Sequence, residues 1–344
     1  MSVRDKAYTD LMRELWGSPD VWNVKKSYVD IAAKIGVDEE TVRNRVKHLR
    51  DTGFLLGYRL VPNPVLLGRT FANISIEFDD AESKKAAIPR LTRIEGVINI
   101  GSTYDRSVFV TLLANQDLDL YKLVADAGVK GEVSSSPELG LRTTTFRMTG
   151  LDWEIVSLLL RNAERKLDEI AQQLRVSTRT VKRRLNMMMK EAAIFTMPMV
   201  DLSKTEGISY RLRVESEEGK KSQVEKLVAS KIGNIIFRAS DSQNGSVFGF
   251  NGANVAEGSD ILEWVRHQPG IKSASMTIAE RVVHVFDWIE SEVDKRAKMI
   301  AITETSAARK MQQTVATRTV AELSLRPNLG RGIVPGSDSP VAST

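Results

Sequence analysis

The chain has 344 residues, enough for two or more domains with cores of their own. Hydrophobic residues make up 42% and charged residues 27%, ordinary values for a soluble globular protein with a net charge of +5. No apolar run of about eighteen residues is present to cross a bilayer, and the absence of cysteine excludes disulfides and thiolate metal sites. The three histidines (His48, His267, His284) are scattered along the chain, so neither a metal nor a cofactor is expected. No leader-like apolar core precedes the first element, which fits a cytoplasmic protein.

Val3 to Trp16 reads as an opening helix with Ala7, Leu11 and Leu15 on one face, ended by Gly17-Ser18-Pro19. A helix-turn-helix follows. Ile31, Ala32 and Ile35 form the inner stripe of its first helix, and Gly36 supplies the turn at positive φ. Asp38 is the expected N-cap of the second helix, with Glu39 and Glu40 near its positive end. Val42, Val46 and Leu49 recur at i, i+4 and i+7 as the buried stripe. The outer arc then presents Glu40, Asn44 and Lys47, flanked by Thr41, Arg43, Arg45 and His48. Arg, Asn and Lys are the side chains that pair with purine edges and phosphates in a major groove. Phe54 to Val61 alternates like the strand of a wing, and Pro62, Pro64 and Gly68 mark a hinge.

Phe71 to Phe78 reads as a strand with Ile74, Ile76 and Phe78 on one side, and Ser83 to Ile94 as a helix. Two strands at Val97–Ile100 and Ser107–Leu113, a helix at Asp117–Ala127 and a last strand within Leu139–Met148 complete the order βαββαβ. That is a ferredoxin-like unit, an antiparallel sheet with two helices on one face.

The helix-turn-helix then recurs. Glu169 to Met188, EIAQQLRVSTRTVKRRLNMM, repeats Asp30 to Leu49 at a constant shift of 139 positions without a gap. Its outer arc carries Thr178, Arg179, Lys182, Arg183, Arg184, Asn186 and Lys190 and no acid. Arg175 and Ala192 replace the turn residues Gly36 and Gly53. A non-Gly residue at positive φ costs on the order of 1 kcal/mol, so a reshaped turn is expected there. Between Arg161 and Lys190 there are nine Lys/Arg against three Asp/Glu, whereas Lys25 to Asp51 holds seven against five. The positive field is concentrated in the two helix-turn-helix segments, where a phosphate backbone needs it.

A second βαββαβ run follows. It has strands at Ile208–Val214, Ile235–Ala239, Val247–Phe250 and Ile271–Ile278, with Asn244-Gly245 as a hairpin turn between the central pair. Its helices are expected at Gln223–Ile232 and Asp260–His267. From Trp288 to about Met311 a helix is expected, and beyond Leu325 Pro, Gly and Ser predict disorder. The expected fold class is α+β, two winged helix-turn-helix domains (1–62 and 149–202) alternating with two ferredoxin-like domains (69–148 and 206–286). A helical extension (287–323) and a disordered tail (324–344) follow.

The segment IAAKIGVDEETVRNRVKHLRDTGFLLGY with LLG at Leu66 to Gly68 resembles the DNA-binding domain of the leucine-responsive regulatory protein (Lrp)/AsnC family. GVINIGSTYDRSVFVTLLANQDLD, from Gly96 to Asp119, is similar to that family's effector domain, as are Pro269-Gly270-Ile271 and Thr277 in the second half. The resemblance covers about 285 residues as a tandem duplication. It implies a sequence-specific regulator of double-stranded DNA that is not an enzyme, nucleoid-associated in the cytoplasm, and either a homo-oligomer or an internal pseudo-dimer. It further implies a small amino-acid-like effector near Gly101, Thr103, Tyr104 and Asp105, and near Asp241 and Asn244. In a pseudo-dimer the two recognition helices would face successive major grooves, roughly 34 Å apart. Two rivals compete with this reading. One is a nucleoid-organising protein of low sequence preference. The other is a haem-pathway decarboxylase of the same superfamily, against which the scattered histidines argue.

Overall fold

The computed structural model describes residues 10–12, 14–15, 27–115, 119–136, 143–232, 235–240 and 242–300. The opening helix lies largely outside them, with residues 10–12 and 14–15 helical. Residues 1–297 form one compact unit.

The first helix-turn-helix consists of α1 (Tyr28–Ile35) and α2 (Glu39–Asp51). Asp38 caps α2 as expected, its Oδ1 accepting from Thr41 N at 2.7 Å. Val42, Val46 and Leu49 are buried, each contributing on the order of 1.5–3 kcal/mol of apolar burial. The second copy consists of α5 (Gly150–Leu159), α6 (Leu167–Gln173) and α7 (Thr178–Lys190), with Ser177 as the cap and Val181, Leu185 and Met188 buried.

The turns of the two copies are the same. Gly36 and Gly53 sit at φ 72° and 77°, and Arg175 and Ala192 at φ 54° and 52°. The second copy therefore keeps the left-handed turns and carries their strain, where a reshaped turn was expected.

The wing strands behave differently from an isolated hairpin. β1 (Leu55–Pro62) pairs antiparallel with β6 (Ile194–Val200) of the second copy, from Leu55 opposite Val200 to Pro62 opposite Ile194. The two helix-turn-helix units are thus joined by a ribbon that neither could form alone.

The first sheet unit holds β2 (Thr70–Glu77), α3 (Ala81–Leu91), β3 (Val97–Thr103), β4 (Ser107–Ala114), α4 (Leu120–Asp126) and β5 (Glu132–Ser136). β5 lies earlier than the strand expected within Leu139–Met148. Gly128 takes φ 69° directly after α4, and the short connection delivers the chain to the free edge of β2, with Glu77 opposite Glu132. Residues 143–149 are irregular instead, and 139–142 lie outside the described residues.

The second unit holds β7 (Ile208–Ser216), α8 (Lys221–Ile232), β8 (Ile235–Ser240), β9 (Gly245–Gly252), α9 (Val255–Arg266) and β10 (Ile271–His284). The strand expected to stop at Ile278 runs on to His284. Residues 271–278 of β10 pair with β7 and residues 279–284 with β3, from Ala279 opposite Thr103 to His284 opposite Asn99, with a register shift between Ala279 and Arg281 inside the second pairing. Eight strands consequently form one sheet in the order β5-β2-β4-β3-β10-β7-β9-β8. Each half retains its own core, centred on Ile74, Ile76, Val110 and Leu112 in the first and on Leu212, Val214, Phe248 and Phe250 in the second.

Beyond β10 a helix begins at residue 287. Ile289 and Val293 are buried, as their spacing predicts. Arg296 donates to the carbonyls of Leu66 and Leu67 at 2.9 and 3.0 Å, while Asp294 accepts from Ser157 at 2.7 Å. The helix therefore ties the first hinge to the second helix-turn-helix. No described helix is long and apolar enough to cross a membrane.

Because Arg175 and Ala192 occupy left-handed backbone, Arg175→Gly and Ala192→Gly are each expected to stabilise the protein by about 1 kcal/mol. Calorimetry should show the midpoint of each variant rising by ~2–4 °C.

Candidate nucleic-acid interface

The outer faces of α2 and α7 differ in how their charge is used. On α2, Arg43 is ion-paired with Glu39 and Lys47 with Asp51, each one turn away on the same helix. His48 Nε2 lies 2.7 Å from Glu206 Oε1. Thr41 serves the cap, its Oγ1 donating to Asp38 Oδ2 at 2.7 Å. Asn44 stands exposed between these pairs.

On α7 the face at Arg179, Lys182, Arg183, Asn186, Met187 and Lys190 lines an open groove of about 430 Å³. Thr178 is exposed beside it. None of the four cations has an ion-pair partner among the described residues. In water that costs little, and the face is left to attract phosphates.

Two expected contacts point the other way. Arg45 and Arg184 occupy equivalent places 139 residues apart, and both turn inward. Arg45 is only 9% exposed. Arg184 Nε donates to Asp152 Oδ1 at 2.6 Å and its Nη2 to Thr149 Oγ1 at 3.1 Å, where Asp152 is wholly buried. Both lie at i+3 from the first residue of the buried stripe (Val42, Val181), so helical geometry places them on the flank of the packed face. That spacing was the available sequence signal.

The effector positions are internally braced. Thr103 is buried, with Oγ1 2.9 Å from Ser107 O, and Asp105 Oδ1 accepts from Ser107 N at 2.8 Å, which closes the turn. Lys84, not singled out from sequence, donates to Thr103 O and Asp105 O at 2.6 and 2.8 Å. It faces Glu280 of β10 at 3.4 Å, and Ser102 Oγ donates to the same Glu280 carboxylate. Burial opposes ionisation of Glu280, but the Ser102 and Lys84 contacts hold its pKa below the usual carboxylate range. Gly101 lies in β3, and Tyr104 is 70% exposed at the turn. In the second half Asn244 O accepts from Ser216 N at 2.9 Å, and Lys221 repeats the role of Lys84 by donating to Ser242 O at 2.7 Å. Asp241 lies outside the described residues.

A buried polar joint sits where the ribbon meets the sheet. Arg59, 1% exposed, donates through Nη1 to Val285 O at 3.1 Å and through Nη2 to Asn99 Oδ1 at 2.9 Å. Its Nε has no hydrogen-bond partner among the described residues, and desolvation pushes its pKa down to about 10. His284 Nδ1 lies 3.0 Å from the same Asn99 oxygen, while Val200 N donates to His284 Nε2 at 3.1 Å. These partners assign the proton to Nδ1 of a neutral ring. Desolvation, then the charge of Arg59, lowers the His284 pKa to about 4.

Residues 148–191 match a family model described as winged helix-turn-helix DNA-binding. The HTH-type transcriptional regulator Ptr1 of Methanocaldococcus jannaschii is 27% identical over 105 residues, 30% of this chain and 71% of that protein. LrpA of Pyrococcus horikoshii, of the same type, is also 27% identical over 105 residues, 30% of this chain and 74% of that one. The chain is Lrp/AsnC-like. The solved structure of the siroheme decarboxylase NirDL shares the Lrp/AsnC-like fold over 86% of this chain and 99% of its own, at 15% identity and a TM-score of 0.52.

That last likeness overturns the expectation that the chain is not an enzyme, since nearly the whole fold is shared with one. The argument from scattered histidines also fails. His284 is 225 positions from Arg59 in sequence, yet both bond to the Asn99 side chain.

Two outcomes follow from these contacts. Removing Arg184 leaves the Asp152 charge buried and unpaired, so Arg184→Ala should lower the urea unfolding free energy by about 3–5 kcal/mol. His284 has a folded pKa of about 4, below the reference 6.5, so the unfolded chain takes up a proton that the folded chain refuses. Its contribution, on the order of 3 kcal/mol, is complete above pH 6.5 and is lost as pH falls toward 4. Unfolding curves of His284→Gln across that range should show a flatter pH dependence than wild type.

Proposed function

We propose that the chain is a transcriptional regulator of the Lrp/AsnC type that binds duplex DNA with sequence preference, and that α7 supplies most of the ionic contact. The observation that carries this reading is the open α7 face, whose Arg179, Lys182, Arg183 and Lys190 have no acidic partner among the described residues. The winged helix-turn-helix match over residues 148–191 and the two regulators at 27% identity support it. On α2, by contrast, the cations are partly neutralised by Glu39 and Asp51, leaving Asn44 as the exposed polar reader. Asn pairs bidentately with adenine, so α2 contributes sequence preference more than affinity. No effector forms part of this reading. The Asp105 carboxylate accepts from Ser107 N, Lys84 donates to the Asp105 carbonyl and faces Glu280, and Glu280 accepts from Ser102.

Binding titrations from 50 to 200 mM salt test it. Arg183→Ala should weaken binding to every duplex alike and reduce the salt slope by about 1, while Asn44→Ala should relax sequence preference with the slope unchanged. A chain that ignores duplex DNA at the lowest salt sinks the reading.

A second reading is that the chain acts on a tetrapyrrole carrying carboxylates. Its support is the near full-length likeness to NirDL and the Arg59–His284 joint, a buried cation with a spare donor beside a neutral imidazole. Titration with an iron uroporphyrin should then shift the porphyrin absorbance, and His284→Ala should remove the shift. An unchanged spectrum with wild-type protein rules this reading out.

A further inference from the structure

We infer that α7 reads an A·T base pair, with Asn186 on the adenine edge and Met187 against the thymine 5-methyl. This rests on the proposed binding of duplex DNA and names the specificity of that face. Met187 is 41% exposed in the groove between cations, although Val181, Leu185 and Met188 already supply the packing of α7. Its thioether is left half-exposed, and it presents an apolar, adaptable tip at the place a ligand would approach.

Position along the helix selects the target. Arg179 and Lys190 are eleven residues apart, a rise of roughly 16 Å at 1.5 Å per residue. The major groove is about 12 Å wide, so the two ends reach opposite phosphate walls while Asn186 and Met187 lie between them over the floor. The apolar group displayed on that floor is the thymine methyl, and the base edge that pairs bidentately with Asn is adenine. Lys182 and Arg183 share the same face and grip the backbone. In α2 the equivalent places are held by Lys47 and His48, engaged by Asp51 and Glu206, so this readout belongs to the second helix alone.

The test uses the full chain. Duplexes selected from a random pool should share an A·T pair, and replacing its thymine by deoxyuridine removes only the methyl. Wild type should lose about fourfold in affinity, the ~0.8 kcal/mol of one buried methyl-sized group. Met187→Ala, a surface change expected to leave the unfolding midpoint unaltered, should bind the thymine and uracil duplexes equally. Asn186→Ala should lose about tenfold on the selected site and accept other pairs there. If wild type is indifferent to the methyl, or if Met187→Ala still discriminates, the inference fails while salt-dependent DNA binding stands. If no duplex binds at low salt, the DNA reading itself falls and this inference with it.

Discussion

The molecule depends on one strand serving both halves of a single sheet. β10 completes the second ferredoxin-like unit through residues 271–278, then covers the edge of β3 through residues 279–284. An unpaired edge in either half would leave a row of backbone donors and acceptors open to adventitious pairing. Here the fourth strand of one repeat covers the second strand of the other, so the first repeat takes an edge partner from its sister. The same strand carries Glu280 to Lys84 and Ser102, and His284 to Asn99 and Val200, before its continuation packs against the second helix-turn-helix. A displacement of β10 would be felt at the turn, the ribbon and the second helix-turn-helix together.

The duplication preserved what folding requires and let the rest diverge. Both α2 and α7 keep an N-cap, a buried stripe of three apolar residues and an inward arginine. Both keep the left-handed turn, even where Arg175 and Ala192 must bear its strain. The outer faces differ in kind. α2 satisfies its own charges within a turn, whereas α7 leaves them to the solvent. Stability constrains the inner face by several kcal/mol, while surface charges are worth a fraction of that.

The repeat, the caps, the stripes and the βαββαβ order were legible because each follows from local periodicity or turn chemistry. What escaped were features decided between segments far apart in sequence. The β1–β6 ribbon could not be read from Phe54 to Val61, since a wing strand carries no mark of its partner. The extension of β10 past Ile278 carried no local mark, because the edge of β3 that it covers lies in the other half. Asp105, expected near an effector, accepts from Ser107 N within its turn; the ion pair beside it joins Lys84 to a residue 196 positions away. His284 looked isolated for the same reason. Arg45 and Arg184 are the exception, because helical spacing alone placed them beside the stripe.

Under the proposed DNA reading, the ribbon explains why a weakly charged first reader is retained. β1 and β6 leave α2 and α7 directly, so their pairing fixes one helix relative to the other without a flexible linker. Once α7 has engaged, α2 meets the duplex as an intramolecular event at high effective concentration, and few further contacts are then needed. Its affinity is therefore under little constraint. Its fold is not, because Val42, Val46 and Leu49 anchor the helix that positions β1, and β1 is half of the ribbon. Charge lost from α2 costs binding only slightly, whereas a lost cap or stripe would release both readers from their common frame.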